Sequence, residues 1–237
     1  ARSMLVLEGC VQSAATPATN AAARRILDRL GITLVAAPQA GCCGAVNYHL
    51  GAHADGLDNM RRNIDAWWPH IEAGAEAIVS SASGCGNLLV DYGELLAHDP
   101  AYADRAARVS ALVRDIGEIL QQEDLAALAV DTDIGKVAVQ VPCTLQHGLK
   151  LPDLIPDILR RAGFDLAETQ DSHLCCGSAG TYSILQRGTS QRLRDNKLRA
   201  LAVDSPAIIA TGNVGCQLHL QAAAGVPVVH WIELLDR

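Results

Sequence analysis

The sequence lacks several features that would point to common classes of protein. Its 237 residues have a formal net charge of −7, whereas a nucleic-acid-binding protein would need a basic patch to contact phosphates. No apolar run approaches the roughly 20 residues that span a bilayer as a helix. No flavin or nicotinamide fingerprint is present, so the sequence gives no sign that the chain itself binds either cofactor. These absences argue against nucleic-acid binding and against a transmembrane segment.

Aromatic side chains are also scarce, with one Phe, three Trp and four Tyr. Apolar residues nevertheless make up 49% of the chain, so we expect cores of Leu, Val, Ile and Ala. The length fits one large domain or two of about 120 residues. No signal peptide is visible, and the chain starts without Met at a strand-like run, so we expect an excised domain or processed fragment.

The eight cysteines form the most informative pattern, because they fall into two similarly spaced sets. The first set is Cys10, Cys42, Cys43 and Cys85, and the second is Cys143, Cys175, Cys176 and Cys216. The offset between the sets is 133 residues at the first three sites (143 − 10) and 131 at the last (216 − 85). Scattered structural cysteines would not keep this register, so the sequence contains an internal repeat.

The repeat predicts two tandem domains, residues 1–124 and 125–237, with a linker in the acidic, Ala-rich stretch between residues 121 and 135. In each half, short apolar runs of strand length alternate with helical periodicity. This alternation predicts the α/β class, with two pseudo-symmetric βαβ-type repeats that each contain a small parallel sheet flanked by helices.

Local signals add two expectations within this framework. Thr19-Asn20 is expected to cap the first long helix, from about residue 21 to residue 30, and Gly31 to end it. In the second half, Leu193-Arg194-Asp195-Asn196 parallels Met60-Arg61-Arg62-Asn63 of the first. The two stretches are therefore expected to occupy the same place in each repeat.

Four of the cysteines directly follow predicted strands. They are Cys10, Cys85, Cys143 and Cys216. In open parallel sheets, the loops at the carboxyl ends of the strands form the site, so we expect these cysteines to converge on that edge. This expectation follows from the strand pattern alone.

Metal binding explains the cysteines better than disulfides do. Disulfide-dense chains are small and loop-rich, and neighbouring cysteines such as Cys42 and Cys43 rarely bridge each other. We therefore expect a reduced, cytoplasmic setting. The spacing differs from the C-x2-C pairs of ordinary zinc sites and from the close-spaced runs of small ferredoxins. Long spacings with adjacent cysteines and flanking glycines suit a cluster held where several loops meet.

Cys-x31-Cys-Cys-Gly, followed about 40 residues later by another Cys and duplicated in tandem, resembles the cysteine-rich CCG domain family. This family includes the cysteine-rich subunit of heterodisulfide reductase, lactate-utilisation proteins and the iron–sulfur subunit of glycolate oxidase. Leu7-Glu8-Gly9-Cys10-Val11-Gln12 and Thr211-Gly212-Asn213-Val214-Gly215-Cys216-Gln217 look most like the glycolate oxidase subunit.

The resemblance implies an electron-transfer module of a glycolate (2-hydroxy acid) oxidase, with one or two iron–sulfur clusters, [4Fe–4S] in type, bound by the eight cysteines. It implies a flavin-containing partner subunit and an N-terminal ferredoxin-like module that is not part of this sequence. It also implies peripheral association of the complex with the inner face of the cell membrane, toward an electron acceptor there.

One departure from heterodisulfide reductase leaves alternatives open. The cysteine-rich subunit of that enzyme ends its motif with Cys-x-x-Cys, and Ala82 and Asn213 take the place of the first cysteine here. Four cysteines per half are compatible with a cubane cluster, with the loss of one cluster, or with zinc. The alternative functions are a disulfide reductase and a zinc-bound or metal-free docking scaffold. We expect Asn213 to form a hydrogen bond and not to act as a ligand.

Other polar residues near the cysteines have two interpretations each. His147, His173 and His219 are candidates for tuning the potential or relaying protons, although an ordinary polar role is the simpler interpretation. Arg61 and Arg194 either neutralise an anionic cluster or pair with acidic side chains. Glu8, close to Cys10, is a candidate hydrogen-bond acceptor behind the cysteines.

Overall fold

Each half of the chain folds around its own parallel sheet in the computed structural model, which describes residues 2–237. The contacts divide the chain into Ala1–Ile119 and Leu120–Arg237. The predicted α/β class with two βαβ-type repeats is confirmed. The sequence-based division after residue 124 stays a prediction, and the contact boundary lies slightly before it.

Short strands and helices alternate along both units. The strands are β1 (Arg2–Leu7), β2 (Ile32–Val35), β3 (Ile78–Ser80), β4 (Val113–Asp115), β5 (Val137–Gln140), β6 (Ile208–Thr211) and β7 (Val228–His230). The α-helices are α1 (Cys10–Ala15), α2 (Pro17–Arg29), α3 (Ala45–His49), α4 (His53–Glu72), α5 (Ser83–Val90), α6 (Tyr92–Leu95), α7 (Ala103–Leu112), α8 (Ile116–Leu120), α9 (Leu154–Arg161), α10 (Tyr182–Leu185), α11 (Arg187–Leu201), α12 (Val214–Gln221) and α13 (Trp231–Leu234). A 3₁₀ turn covers Leu125–Leu128 and a π turn covers Thr144–Gly148. Across residues 2–237, none of these helices combines the length and apolar character that crossing a bilayer requires.

Parallel pairing gives the two sheets equivalent strand orders. The first sheet has the order β2-β1-β3-β4, with Leu5 of β1 opposite Val35 on one side and Ile78 on the other. The second has the order β5-β6-β7, and Val137 of β5 forms a single parallel bridge with Leu166. Leu166 therefore takes the place that β2 has in the first sheet. All the strands point the same way within a sheet, so their carboxyl ends share one edge.

Long helices close the hydrophobic cores against these sheets. In α4, the buried residues Met60, Ile64, Trp67 and Ile71 recur at helical spacing and form one apolar face. They pack with Leu5 and other sheet residues in the core of the first unit. The second unit has a smaller aliphatic cluster that includes residues of β5, β6, α11 and α12. The expected aliphatic cores are present, and the first also buries a Trp.

The first long helix begins earlier than its sequence signal indicated. α2 starts at Pro17, because proline suits the first position of a helix, where no backbone N–H bond is needed. The predicted cap was therefore wrong, since Thr19 and Asn20 lie inside α2 and are buried. The Asn20 side chain instead donates a hydrogen bond to the main-chain oxygen of Glu8 (3.0 Å). Gly31, at φ 75°, ends this region as expected.

The strand β4 is not among the elements that the sequence pattern identified. Its three residues are too few for a periodic signal, and pairing with β3 determines their conformation. The last of them, Asp115, is 5% exposed. Its carboxylate accepts a hydrogen bond from the Gly117 N–H (2.9 Å), and its own N–H donates to Glu118 (2.8 Å). Asp115 thereby satisfies backbone groups in the first turn of α8.

Asp115 should make stability depend on pH. Burial raises the pKa of Asp115 to about 7, compared with about 3.9 for an unperturbed Asp. The folded state therefore binds this proton more tightly than the unfolded chain. Its contribution is fully present below pH 4 and is lost as the pH rises through 7. Loss of this proton should lower the free energy of unfolding by at most roughly 4 kcal/mol between pH 4 and pH values above 7.

Asp115→Asn should remove that dependence, because the amide keeps the acceptor oxygen but does not titrate. Urea denaturation at several pH values between 4 and 8 measures the difference between wild type and variant. The exposed Asp157→Asn provides a control whose curve should run parallel to wild type. Parallel curves for Asp115→Asn and wild type would contradict this account.

Candidate metal centres

The first four cysteines reach the carboxyl edge of the first sheet from three separate loops. β1 ends at Leu7, and Cys10 begins α1 two residues beyond Glu8. Cys85 lies in the first turn of α5, which follows β3. Cys42 and Cys43 come from the loop between β2 and α3. The parallel arrangement thus places all four cysteines at the expected edge.

The thiols of this set interact in a chain from Cys10 to Cys42, from Cys42 to Cys43 and from Cys43 to Cys85. Burial, and then the neighbouring Cys42 thiol, raise the pKa of Cys10. The pKa of Cys43 is raised to about 12, because its interaction with Cys42 lowers it but Cys85 and burial raise it more. Burial and the net effect of the neighbouring thiols raise the pKa of Cys10, Cys42 and Cys43. Without a metal, these three thiols therefore favour the protonated form.

The second set has the same arrangement at the edge of the second sheet. Cys143 follows β5 after Val141 and Pro142, and Cys216 lies in the first turn of α12 after β6. Cys175 and Cys176 lie in the loop before α10. Cys143 interacts with Cys175, which interacts with Cys176, and the sulfur atoms of Cys176 and Cys216 are 3.1 Å apart. The structure therefore brings together all four cysteines in each half.

Ionisation differs in the second set, because two of its thiols favour the charged form. Interaction with Cys143 and then with Cys176 holds the pKa of Cys175 well below its usual range. Interaction with Cys176 likewise lowers the pKa of Cys216. Cys143 and Cys176, which supply the S–H donors, have raised pKa values. The shifts in the second set thus alternate along the chain of thiols, raised at Cys143 and Cys176 and lowered at Cys175 and Cys216.

A left-handed glycine follows each pair of adjacent cysteines. Gly44 has φ 94° and Gly177 has φ 86°, a conformation that favours glycine. This turn directs the N–H of Gly44 to the sulfur of Cys42 (3.4 Å) and the N–H of Gly177 to the sulfur of Cys175 (3.3 Å). Backbone donors of this kind stabilise a thiolate or a cluster sulfur. The glycine in the motif therefore has an electrostatic function as well as a conformational one.

The glycines also allow a long helix to approach each loop closely. A Cβ atom added to Gly44 would lie 2.8 Å from the Gly56 carbonyl oxygen and close to Asn59 of α4. One added to Gly177 would overlap the Ser190 carbonyl oxygen and lie close to Leu193 of α11. The equivalent residues of the two helices are thus 134 apart (190 − 56; 193 − 59).

This offset corrects the sequence-based alignment of the two helices. That alignment paired Leu193 with Met60 at an offset of 133 residues, one fewer than the helix contacts require. Arg61 and Arg194 are consequently not equivalent positions. The shift also pairs two buried polar residues, Asn63 and Lys197, that the sequence pattern did not single out.

Asn63 and Tyr92 anchor the first pair of adjacent cysteines. The Asn63 amide donates to the Cys42 carbonyl (2.9 Å) and to the Tyr92 hydroxyl (3.1 Å), and it accepts from the Gly41 N–H (2.9 Å). The Tyr92 hydroxyl donates to the Cys43 carbonyl (2.6 Å). A lone Asn or Tyr has no sequence signature, so only the folded chain identifies this network. It fixes the backbone from which both thiols project.

Ser190 and His219 support the corresponding loop in the second unit. The Ser190 hydroxyl donates to the Gly177 carbonyl (2.7 Å), and it lies 3.0 Å from the Nε2 atom of His219. Because the hydroxyl hydrogen is engaged by Gly177, Nε2 carries the hydrogen that points to Ser190. His219 therefore helps to position the turn after Cys175 and Cys176.

Among the remaining candidates, the charged side chains pair with other charged residues, and only Asn213 is shown in contact with a cysteine. The ion pairs are Arg61–Asp58 (2.7 Å), Arg61–Asp99 (2.8 Å), Arg194–Asp195 (2.9 Å) and Glu8–Arg24 (2.7 Å). The Asn213 amide donates to the sulfur of Cys216 at 3.7 Å, in line with the expected hydrogen bond. Ala82 is buried just before α5 and offers no side-chain donor or ligand.

The arrangement of the thiols does not match a site for a single ion. Among the described residues, no group of three or more His, Cys, Asp or Glu side chains is placed to hold one metal ion. A structural zinc site needs four ligands around one centre, with sulfur atoms about 2.3 Å from it. Backbone N–H donors aimed at sulfur, as Gly44 and Gly177 provide, are a feature of iron–sulfur sites. The donor set is the all-cysteine set that such clusters use.

Comparison with known proteins supports this interpretation. The model of the family described as CCG, cysteine-rich domain, matches residues 4–90 and again residues 137–221. The glycolate oxidase iron-sulfur subunit of Escherichia coli (strain K12) is 52% identical over 100% of this chain and 58% of its own length. Lactate utilization protein A of Bacillus licheniformis is 26% identical over 89% of each chain. The chain spans only slightly more than half the length of the glycolate oxidase relatives that it matches.

A solved structure has the same fold despite low identity. The crystal structure of a hypothetical protein from Helicobacter pylori matches 99% of this chain and 48% of its own, with a TM-score of 0.68 and 9% identity. At this identity the likeness concerns the fold alone. Functional arguments therefore depend on the cysteines and on the sequence relatives.

Gly177→Ala should destabilise the second unit and disturb its cysteine loop. The substitution forces a side chain into the left-handed region and against the Ser190 carbonyl, at a cost of at least about 2 kcal/mol. Gly188→Ala, in the same helix region with nothing within 4 Å of the added Cβ, is the matched control and should be neutral or slightly stabilising. Urea denaturation of both variants tests this, and equal stability of Gly177→Ala and wild type would refute it.

Proposed function

This chain belongs to the CCG family of cysteine-rich domain proteins, as its cysteine pattern indicated, and from that premise we propose that it is an iron–sulfur electron-transfer module. The observation that carries the proposal is the gathering of four thiols in each half, from three loops, at the carboxyl edge of a parallel sheet. Each site presents sulfur ligands with a backbone N–H donor, and the second adds the side-chain amide of Asn213.

We assign the ligands of one cluster to each half. The first cluster is held by Cys10, Cys42, Cys43 and Cys85, and the second by Cys143, Cys175, Cys176 and Cys216. Four cysteines match a [4Fe–4S] cluster, which would supply one-electron transfer when bound. The ligands bind as thiolates, so loading would release the protons that the thiols hold. The glycine N–H groups and the Tyr92 network orient the sulfur atoms.

The most similar relatives indicate the assembly in which this module works. We propose that it is part of the iron–sulfur subunit of a glycolate (2-hydroxy acid) oxidase, because a relative of that name is 52% identical along the whole chain. A flavin-containing partner subunit would oxidise the substrate and pass electrons to the clusters. The relatives' greater length leaves room for an N-terminal ferredoxin-like module. We place the complex in the cytoplasm, at the inner face of the membrane where its acceptor lies.

The alternatives receive less support from this site. A disulfide reductase of the heterodisulfide type would use a fifth cysteine per motif, and Ala82 and Asn213 stand at those positions. A zinc-bound scaffold is not what the relatives indicate, since two of them are named as iron-sulfur subunits. A metal-free scaffold would have no need for eight thiols in two matching sets.

Anaerobic reconstitution with iron and sulfide tests the proposal. We expect about eight iron atoms and eight sulfides per chain, with EPR signals after reduction by dithionite. Cys43→Ser should remove about four irons from the first half, and Cys176→Ser about four from the second, because each variant lacks one ligand. Each variant serves as the control for the other, and circular dichroism checks that both remain folded.

Two results would count against the proposal. One is a reconstituted wild-type protein that binds no iron, and the other is stoichiometric zinc together with full activity of the complex after cysteine replacement. Reduction of disulfide substrates by the loaded protein would favour the reductase instead.

A further inference from the structure

A fully buried lysine accompanies the second cysteine set. Lys197 of α11 is 0% exposed, and its ammonium group donates to the main-chain oxygens of Ser172 (2.9 Å) and Asp171 (3.4 Å). Within residues 2–237, no carboxylate lies at ion-pair distance from it. Burying an ammonium group without an ion-pair partner is unfavourable. A residue of this kind therefore requires a compensating negative charge nearby.

Ionised cysteines are one source of such a charge. The thiols of Cys143, Cys176 and Cys216 act electrostatically on Lys197, as does the carboxylate of Asp171. Burial lowers the pKa of Lys197, and these four groups oppose that effect. Lys197 in turn favours ionisation of Cys143 and Cys216. The loop that Lys197 holds through Ser172 reaches Cys175 three residues later, so the lysine is anchored to the loop that carries two of the ligands.

The first unit has a neutral residue at the equivalent position. Lys197 lies seven residues after Ser190, and Asn63 lies seven residues after the equivalent Gly56. Both side chains are completely buried, and both hold the loop that precedes the adjacent cysteines. The two repeats therefore use the same position for the same structural purpose. They differ there by one positive charge.

We propose that Lys197 gives the second cluster site a higher reduction potential than the first, an inference that rests on the proposed function. Reduction takes one electron from the reductant and adds one negative charge to the site, with all four thiolates still bound and no proton transferred. A buried cation stabilises the reduced form more than the oxidised form, because its interaction with the site is weakly screened. The amide of Asn63 carries no net charge and has no such effect. Lys197 acts through the cysteines and is a positioning and tuning residue, not a ligand.

Redox titration of the full 237-residue chain, followed by EPR, measures the two sites separately. The Cys43→Ser variant reports the second site and the Cys176→Ser variant reports the first. In these backgrounds the second site should be reduced at the higher potential. Lys197→Gln, which keeps a hydrogen-bond donor but removes the charge, should lower the ratio of reduced to oxidised second site about tenfold at fixed potential, equivalent to about 59 mV for one electron. Lys197→Met provides a second neutral variant.

Arg199→Gln is the matched control, because it removes one positive charge from the exposed side of the same helix. It should leave the second-site potential unchanged, and Lys197→Gln should leave the first-site potential unchanged. Equal potentials of the two sites, or no shift in both Lys197 variants, would overturn the inference. An equal shift in Arg199→Gln would do the same. If neither Lys197 variant holds iron, the comparison of the two cysteine variants alone decides.

Failure of the proposed function gives a different result from failure of this inference. If the wild-type chain binds no iron, both the proposed function and this inference are wrong, and the iron analysis shows this before any titration. If both halves bind iron but the first site has the higher potential, the electron-transfer function is retained and only the role of Lys197 is rejected.

Discussion

Sulfur atoms that gather in a small, partly buried space repel one another once they ionise, and both units are built around this constraint. In the first set, the interaction with Cys42 lowers the pKa of Cys43, but Cys85 and burial raise it more. Backbone N–H groups of Gly44 and Gly177 counter the repulsion by pointing at the sulfur two residues earlier. The left-handed turn that aims those groups requires glycine, and the helix packed behind the turn excludes any side chain there. Iron would complete the neutralisation when a cluster is bound.

The two repeats share a backbone arrangement but surround their cysteines with different side chains. In the first unit, Asn63 and Tyr92 hold the adjacent cysteines through neutral hydrogen bonds. In the second, Lys197 holds the matching loop with a buried cation, and Ser190 and His219 support the turn. The backbone geometry is equivalent, whereas the electrostatic environment is not. A duplicated fold can thus provide two one-electron sites of unequal potential without any change in the ligands.

The sequence-based errors in this chain have two kinds of physical cause. The cap expected at Thr19 and Asn20 was wrong because Pro17 is a better first residue for a helix, which is a local preference. The strand β4 was not identified because three residues are too few for a periodic signal, and pairing with β3 makes them extended. The alignment of the two long helices was wrong by one residue, because sequence similarity there does not reflect which residues contact the glycine turn. In the last two cases tertiary contacts decided the structure.

The sequence by itself determined the repeat, the α/β class, the family and the eight cysteines, because spacing and hydrophobic alternation are properties of the chain order. It also placed four cysteines after strands, and parallel strands then required them to share an edge. Only the tertiary structure decided how the thiols pair and which buried side chains hold their loops. These features depend on helices that pack against loops far away in the sequence. The burial of Asn63, Tyr92 or Lys197 therefore has no local sequence signature. The difference in charge between the two sites therefore becomes visible only in the folded protein.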